Sequence, residues 1–169
     1  MIPEIINQLN FNRSYLLKLI EDVPEDQMHV KPSKGLDNHP AFTLGHLVTA
    51  YANLYNNLTG EYILAPGFKE VFLRSGPGDP TLPSEDTAVY PSKAAMIAEL
   101  GVQHDRLVNY LQNISSEKLN EKFEWRLAAH FPTFGNRIMF LCANHYAMHN
   151  GQLAAWRRAM GYDSALAKM

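Results

Sequence analysis

The sequence predicts an all-α fold, a four-helix bundle forming one domain over residues 1–169. Apolar residues recur at three- and four-residue spacing along four long stretches, and no stretch alternates with the period of two that marks a half-buried strand. The 169-residue chain is 46% apolar, enough for one sizeable core and short for a second domain. No internal repeat or low-complexity tract points to another architecture.

Ile2, Ile5, Ile6 and Leu9, then Leu16, Leu17 and Ile20, share one side of a first helix that must stop before Pro24. The polar run "EDVPEDQMHVKPSKGLDN" has neither period and reads as loop. From about Pro40, Phe42, His46, Leu47, Ala50 and Leu54 restore helical spacing, and Gly60 supplies a stop. Residues 61 to about 91 hold Gly67, Gly76 and Gly78 with Pro66, Pro77, Pro80, Pro83 and Pro91, which forbids a long regular element. In a bundle such a loop serves as a crossover that lets successive helices run parallel. Ser92 caps a third helix whose inner face is Met96, Ile97, Leu100, Leu107, Leu111 and Ile114, weakened slightly at Gly101. After Ser115 and Ser116 a short helical turn around "EKLN" precedes "EWRLAAHFPTFG", read as extended or irregular. Thr133 caps the last long helix, and Gly161 ends it.

Fifteen basic against 17 acidic residues give a net charge of -2, without the basic excess that a phosphate backbone demands, so nucleic acid is not an expected partner. No basic lead with an apolar run opens the chain, and no segment approaches a membrane span. Cys142 is the single cysteine, so no intramolecular disulfide can form. Together these features give a cytoplasmic expectation without a membrane partner.

The last helix contains "NHYAMHNGQLAAWRRAMG", in which His145 and His149 stand where a packed core would favour leucine. At four-residue spacing they lie about 40° apart on the helix surface, so both imidazoles can converge on one point. A transition metal needs at least a third ligand, and His46, on the apolar face of the second helix, is the strongest candidate. Three histidines would leave coordination positions open for water or substrate, which implies chemistry rather than stapling. Seven histidines in the chain make one such pair common by chance, so spacing alone leaves metal ligation and core packing both open.

The residues between the pair are Tyr146, Ala147 and Met148, so the Glu that a metalloprotease helix carries there is missing. Cys142 is a fourth ligand, a reactive thiol or, by default, a small packing residue. His39 and Asn53, seven residues either side of His46, and Gln152, three after His149, are candidates to orient a ligand or contact substrate, against a structural default. His29, His104 and His130 read as solvated, and Trp156 as a pocket wall. Arg157 and Arg158 complement the negative pole of a helix end without any ligand.

"HPAFTLGHLVTAYANLYNNLTG" together with "NHYAMHNGQLAAWRRAMG" resembles the DinB/YfiT-like superfamily, which is distinct from the DNA polymerase sharing the name. The likeness lies in helix order, the long connection after the second helix, a "GHL" segment and an "HxxxHxGQ" segment followed by basic residues and Gly. It implies an up-down-down-up bundle and assigns His46, His145 and His149 as ligands of a divalent transition metal ion, such as nickel, zinc, iron or manganese. Relatives are described as metal-dependent hydrolases or as transferases of low-molecular-weight thiols such as bacillithiol or mycothiol, and homodimers are common among them.

The leading expectation is therefore a metal-dependent enzyme acting on a small-molecule substrate, by thiol transfer or hydrolysis. A non-catalytic bundle that binds metal or a small ligand ranks second, and an inert bundle with core histidines last. No motif identifies a general acid, a general base or a subfamily.

Overall fold

Capping chemistry sets the helix ends much as the sequence predicts. In the computed structural model, which describes residues 2–169, the long helices are α1 (Ile2–Ile20), α2 (Pro40–Thr59) and α4 (Lys93–Leu111). Between α2 and α4 the connection contains a short helix α3 (Phe68–Phe72), and α5 (Ser116–Asn120) is the predicted "EKLN" turn. The last long stretch comprises α6 (Phe134–Met139), a π-helical segment (Phe140–His145) and α7 (Tyr146–Ala159). Among the described residues no strand forms; residues 122 and 133 make one isolated bridge. No helix among them is long and apolar enough to cross a membrane.

Ser92 accepts from the Ala95 amide at 3.2 Å, Thr133 from the Asn136 amide at 3.3 Å, and Gly60 ends α2 at φ 83°. The third helix stops at Leu111, one turn short of the predicted Ile114. A histidine caps α2: His39 accepts from the Phe42 amide through Nδ1 at 3.2 Å. Its ring is buried against His29 and Tyr90, so it serves the helix start.

α2 packs chiefly on α4, and α1 on the π segment and α7. One core runs through all of them, with Leu9, Leu16, Leu44, Leu47, Leu54, Leu100, Leu107, Ile138 and Leu153 fully buried. Each such side chain contributes roughly 1.5–3 kcal/mol of transfer free energy. The face of α4 that reads as partly solvated is covered instead. Gln103 donates to the Ile63 carbonyl at 2.9 Å, and His104 is 6% exposed, bonded to Asn10 and Asp105 at 3.0 Å each. His29 is half-buried, whereas His130 is exposed as expected.

Asn12 of α1 meets the π segment directly. Its Nδ2 donates to the carbonyls of Cys142 (3.1 Å) and Ala143 (3.3 Å), and Asn150 Nδ2 donates back to the Asn12 carbonyl at 3.0 Å. A π turn interrupts the α-helical ladder, and buried side-chain donors stabilise its carbonyls there.

Two tail residues take roles other than those expected. Trp156 is fully buried, donates to the Val30 carbonyl at 2.7 Å and stacks on Tyr162, so it walls no pocket. Arg157 is 1% exposed and ties three segments together. It donates to the Leu19 carbonyl at 2.8 Å, to the Asp163 carbonyl at 2.9 and 3.2 Å, and pairs with Asp22.

The Arg157 hydrogen bond, helped by Lys168, holds the Asp22 carboxyl well below the usual carboxylate range. A depressed folded-state pKa adds stability that is present above the unfolded value of about 3.9 and lost as pH falls toward the folded value. Arg157→Leu should therefore lower the unfolding free energy by about 3 kcal/mol in urea titrations, because buried carbonyls lose their donor. Asp22→Asn should flatten the loss of stability below about pH 4. An Arg157→Leu protein as stable as the parent would contradict the anchoring role.

Candidate metal centre

α2 delivers His46, the end of the π segment His145, and the first turn of α7 His149. The three imidazoles converge: His145 Nε2 lies 3.4 Å from His46 Nε2 and 3.2 Å from His149 Nε2. Their ligating nitrogens all fall within 4.8 Å of one another.

Protons alone cannot satisfy this arrangement. His46 Nδ1 donates to the Phe72 carbonyl at 3.2 Å, which fixes a neutral ring with its Nε2 lone pair facing the cluster. Burial, followed by the neighbouring imidazoles, pushes His145 down to about 4 and His149 to about 2, and burial lowers His46 as well. All three are neutral at pH 7. A proton on His145 Nε2 can serve one of its two contacts, which leaves the other uncompensated.

A cation resolves the conflict. Four-coordinate zinc at about 2.0–2.1 Å from each nitrogen sets neighbouring nitrogens about 3.3 Å apart, which matches the observed separations. The donor set therefore fits a divalent transition ion with positions left open.

Gly45 explains how His46 is held. An added Cβ would lie 2.3 Å from the Phe72 ring, so only glycine lets α3 press onto α2 at this point. Phe72, fully buried, thereby presents its carbonyl to His46. On the other side the ring stacks on Phe42 at 5.6 Å, and the Arg74 guanidinium lies 4.6 Å over Phe42.

The histidines line a cavity of about 370 Å³. Asn53 and Gln152, candidates in the sequence against a structural default, also line it, and Gln152 Oε1 accepts from Asn38 at 3.1 Å. Cys142 is outside the cavity lining and fully buried, with its thiol pushed up to about 12, so it is a packing residue. His39 lies at the helix cap, away from the cavity.

Sequence reasoning missed Arg74, Arg126, Arg137 and Trp125, all in the cavity lining. Arg137 precedes His145 by eight residues, about 80° away on an unbroken α-helix; the extra residue of a π turn reduces this to about 20°. The π segment carries no recognisable sequence signal. Arg74 and Arg126 come from segments without a period.

The sequence profile of the DinB superfamily matches residues 8–153, a span that contains all three histidines. No curated protein matches the chain at a significant level of similarity.

Gly45→Ala should displace Phe72, cost about 1–3 kcal/mol in stability and weaken metal affinity about tenfold in chelator competition. The double variant with Phe72→Leu should recover part of the stability. Unchanged affinity in Gly45→Ala would remove Gly45 from the support of His46.

Proposed function

Because this chain belongs to the DinB superfamily, we propose that it is a metal-dependent enzyme acting on a small molecule, with His46, His145 and His149 as ligands of one divalent transition ion. The observation that carries this reading is the convergence of three neutral imidazole nitrogens on the wall of one cavity. In this reading the long helices form an up-down-down-up bundle, residues 61 to about 91 are its crossover, and the protein works in the cytoplasm as a homodimer.

Bound at the histidines, such an ion lowers the pKa of a coordinated water or thiol and polarises an electrophile. The chain's own residues do the rest. Phe72 fixes the His46 tautomer, Asn38 orients Gln152 beside His149, and Phe42, Trp125 and Phe140 exclude water from the wall.

Transfer of a low-molecular-weight thiol to an electrophile is favoured over hydrolysis. A hydrolase needs a group that protonates the leaving atom. The carboxylate among the described lining residues is Asp79, which accepts from the Ser75 amide, the Ser75 hydroxyl and the Thr81 amide at 2.7–2.9 Å. Those bonds, from Thr81 and Ser75, hold it well below the usual carboxylate range, so it has no proton to give. The same engaged carboxylate is compatible with a second reading, a protein that binds metal or a small ligand without turnover.

Elemental mass spectrometry on untagged protein should find about one divalent ion per chain, nickel, zinc, iron or manganese. His46→Ala, His145→Ala and His149→Ala should each lose it with helical circular dichroism retained. Cys142→Ala should keep the ion. Full metal content in His149→Ala would overturn the ligand set, and a metal-loaded protein inert toward thiol-plus-electrophile and ester panels would favour the binding reading.

A further inference from the structure

Arg137 is a buried cation without a counter-ion among the described residues. It is 8% exposed, and its guanidinium lies over the rings of Phe123 at 4.5 Å and Trp125 at 4.8 Å. Nη2 donates to Asn57 Oδ1 at 2.7 Å, while Nε is buried without a partner and Nη1 meets no acceptor among the described residues. No acid among the described residues pairs with it; their ion pairs use Lys18, Lys31, His104, Lys118, Arg157 and Lys168. Burial alone pushes it down to about 10, and it stays charged at neutral pH.

A buried charge left unpaired costs several kcal/mol, of which two aromatic faces offset a part. Arg157 shows the alternative within this chain, since its buried guanidinium meets a carboxylate and two carbonyls. Arg137 has only one amide oxygen, and that contact fixes its fork while leaving an edge free. Planar guanidinium edges match carboxylate and phosphate oxygens.

That edge belongs to a residue lining the same cavity as the three histidines, together with Arg74 and Arg126. The acid there, Asp79, is occupied by its own loop. Three cations and one engaged carboxylate thus line one cavity in a chain whose net charge is -2. Such a cavity concentrates anions against the trend of the whole molecule.

We infer that the substrate of this cavity carries a carboxylate or phosphate group, and that Arg137 is its anchoring cation beside the histidine cluster. The ligand's role as substrate rests on the proposed metal site, whereas anion binding itself does not need the metal. The cavity volume falls at the low end of small-molecule sites, about 300–1,000 Å³, so the ligand is compact.

Trp125 gives a direct readout. Of the two tryptophans in the chain, it stacks on Arg137, whereas Trp156 is buried elsewhere. Inorganic phosphate, succinate and neutral succinamide would be titrated against zinc-loaded and chelator-stripped protein, following both indole N–H resonances by NMR. At least one anion should give a saturable shift at Trp125 in both states and succinamide none, with Trp156 unmoved. The anion that acts tells carboxylate from phosphate.

Arg137→Met should weaken that binding at least about tenfold, keep the metal content, and unfold at the same or higher urea concentration, because an unpaired buried charge is removed. Arg137→Lys, which keeps a charge but not the fork, should bind anions more weakly than the parent and covers the case in which Arg137→Met does not fold. No saturable shift with either anion, or one that survives both substitutions, would overturn the inference. Metal bound without anion binding would leave the histidine reading standing, and anion binding without metal the reverse.

Discussion

The site depends on a break in helical register. Between Phe140 and His145 the last long helix adopts π geometry, and the phase of everything before it shifts relative to everything after it. On a continuous α-helix, Arg137 and His145 would face directions about 80° apart; the inserted residue reduces the angle to about 20°. The histidines and the unpaired arginine therefore share a cavity because the helix is locally irregular. Asn12 makes this tolerable by donating to the Cys142 and Ala143 carbonyls, and Asn150 ties Asn12 back to α7. α1 contributes no residue to the cavity lining, yet its buried carboxamide supports the geometry there.

The same economy holds around His46. A glycine one residue earlier admits the Phe72 ring, the ring positions its own carbonyl, and the carbonyl decides which imidazole nitrogen is left as a lone pair. Each step is a packing or hydrogen-bond constraint outside the histidine cluster itself. Desolvation then keeps all three rings neutral, so the cluster offers lone pairs rather than positive charge. A site of this kind is pre-organised for a cation, and its cost is a set of facing nitrogens that no arrangement of protons satisfies.

Much of this was legible in the sequence, and the exceptions share a cause. Helix positions follow from apolar spacing and caps such as Ser92, Thr133 and Gly60, which are local signals. The spacing of His145 and His149 marked a shared face, His46 stood out on the apolar face of the second helix, and the resemblance to the DinB/YfiT-like superfamily assigned all three as ligands; the structure brings them together. His104, Trp156 and Arg157 depart from the sequence expectation because their partners lie on distant segments: Asn10, Val30 and Asp22. The π segment escaped notice for a different reason. Its stability comes from Asn12, 130 residues away from Cys142, and no residue type within it signals a change of period.

Two buried arginines separate stability from function in this fold. Arg157 closes its hydrogen bonds against a carboxylate and main-chain carbonyls, so every donor group that it removes from water finds an acceptor. Arg137 is nearly as buried, and its fork has one amide oxygen for all its donors. Burial without compensation is unfavourable in the isolated protein and favourable only once something negative arrives. The aromatic rings packed on the guanidinium attract it without neutralising it, which suits an anchor that keeps its charge available. In the proposed site the neutral histidine cluster holds the ion through lone pairs, and the cationic wall meets the anionic group of the small molecule through charge. A cavity built from complementary deficits of this kind selects its occupant by chemistry rather than by volume alone.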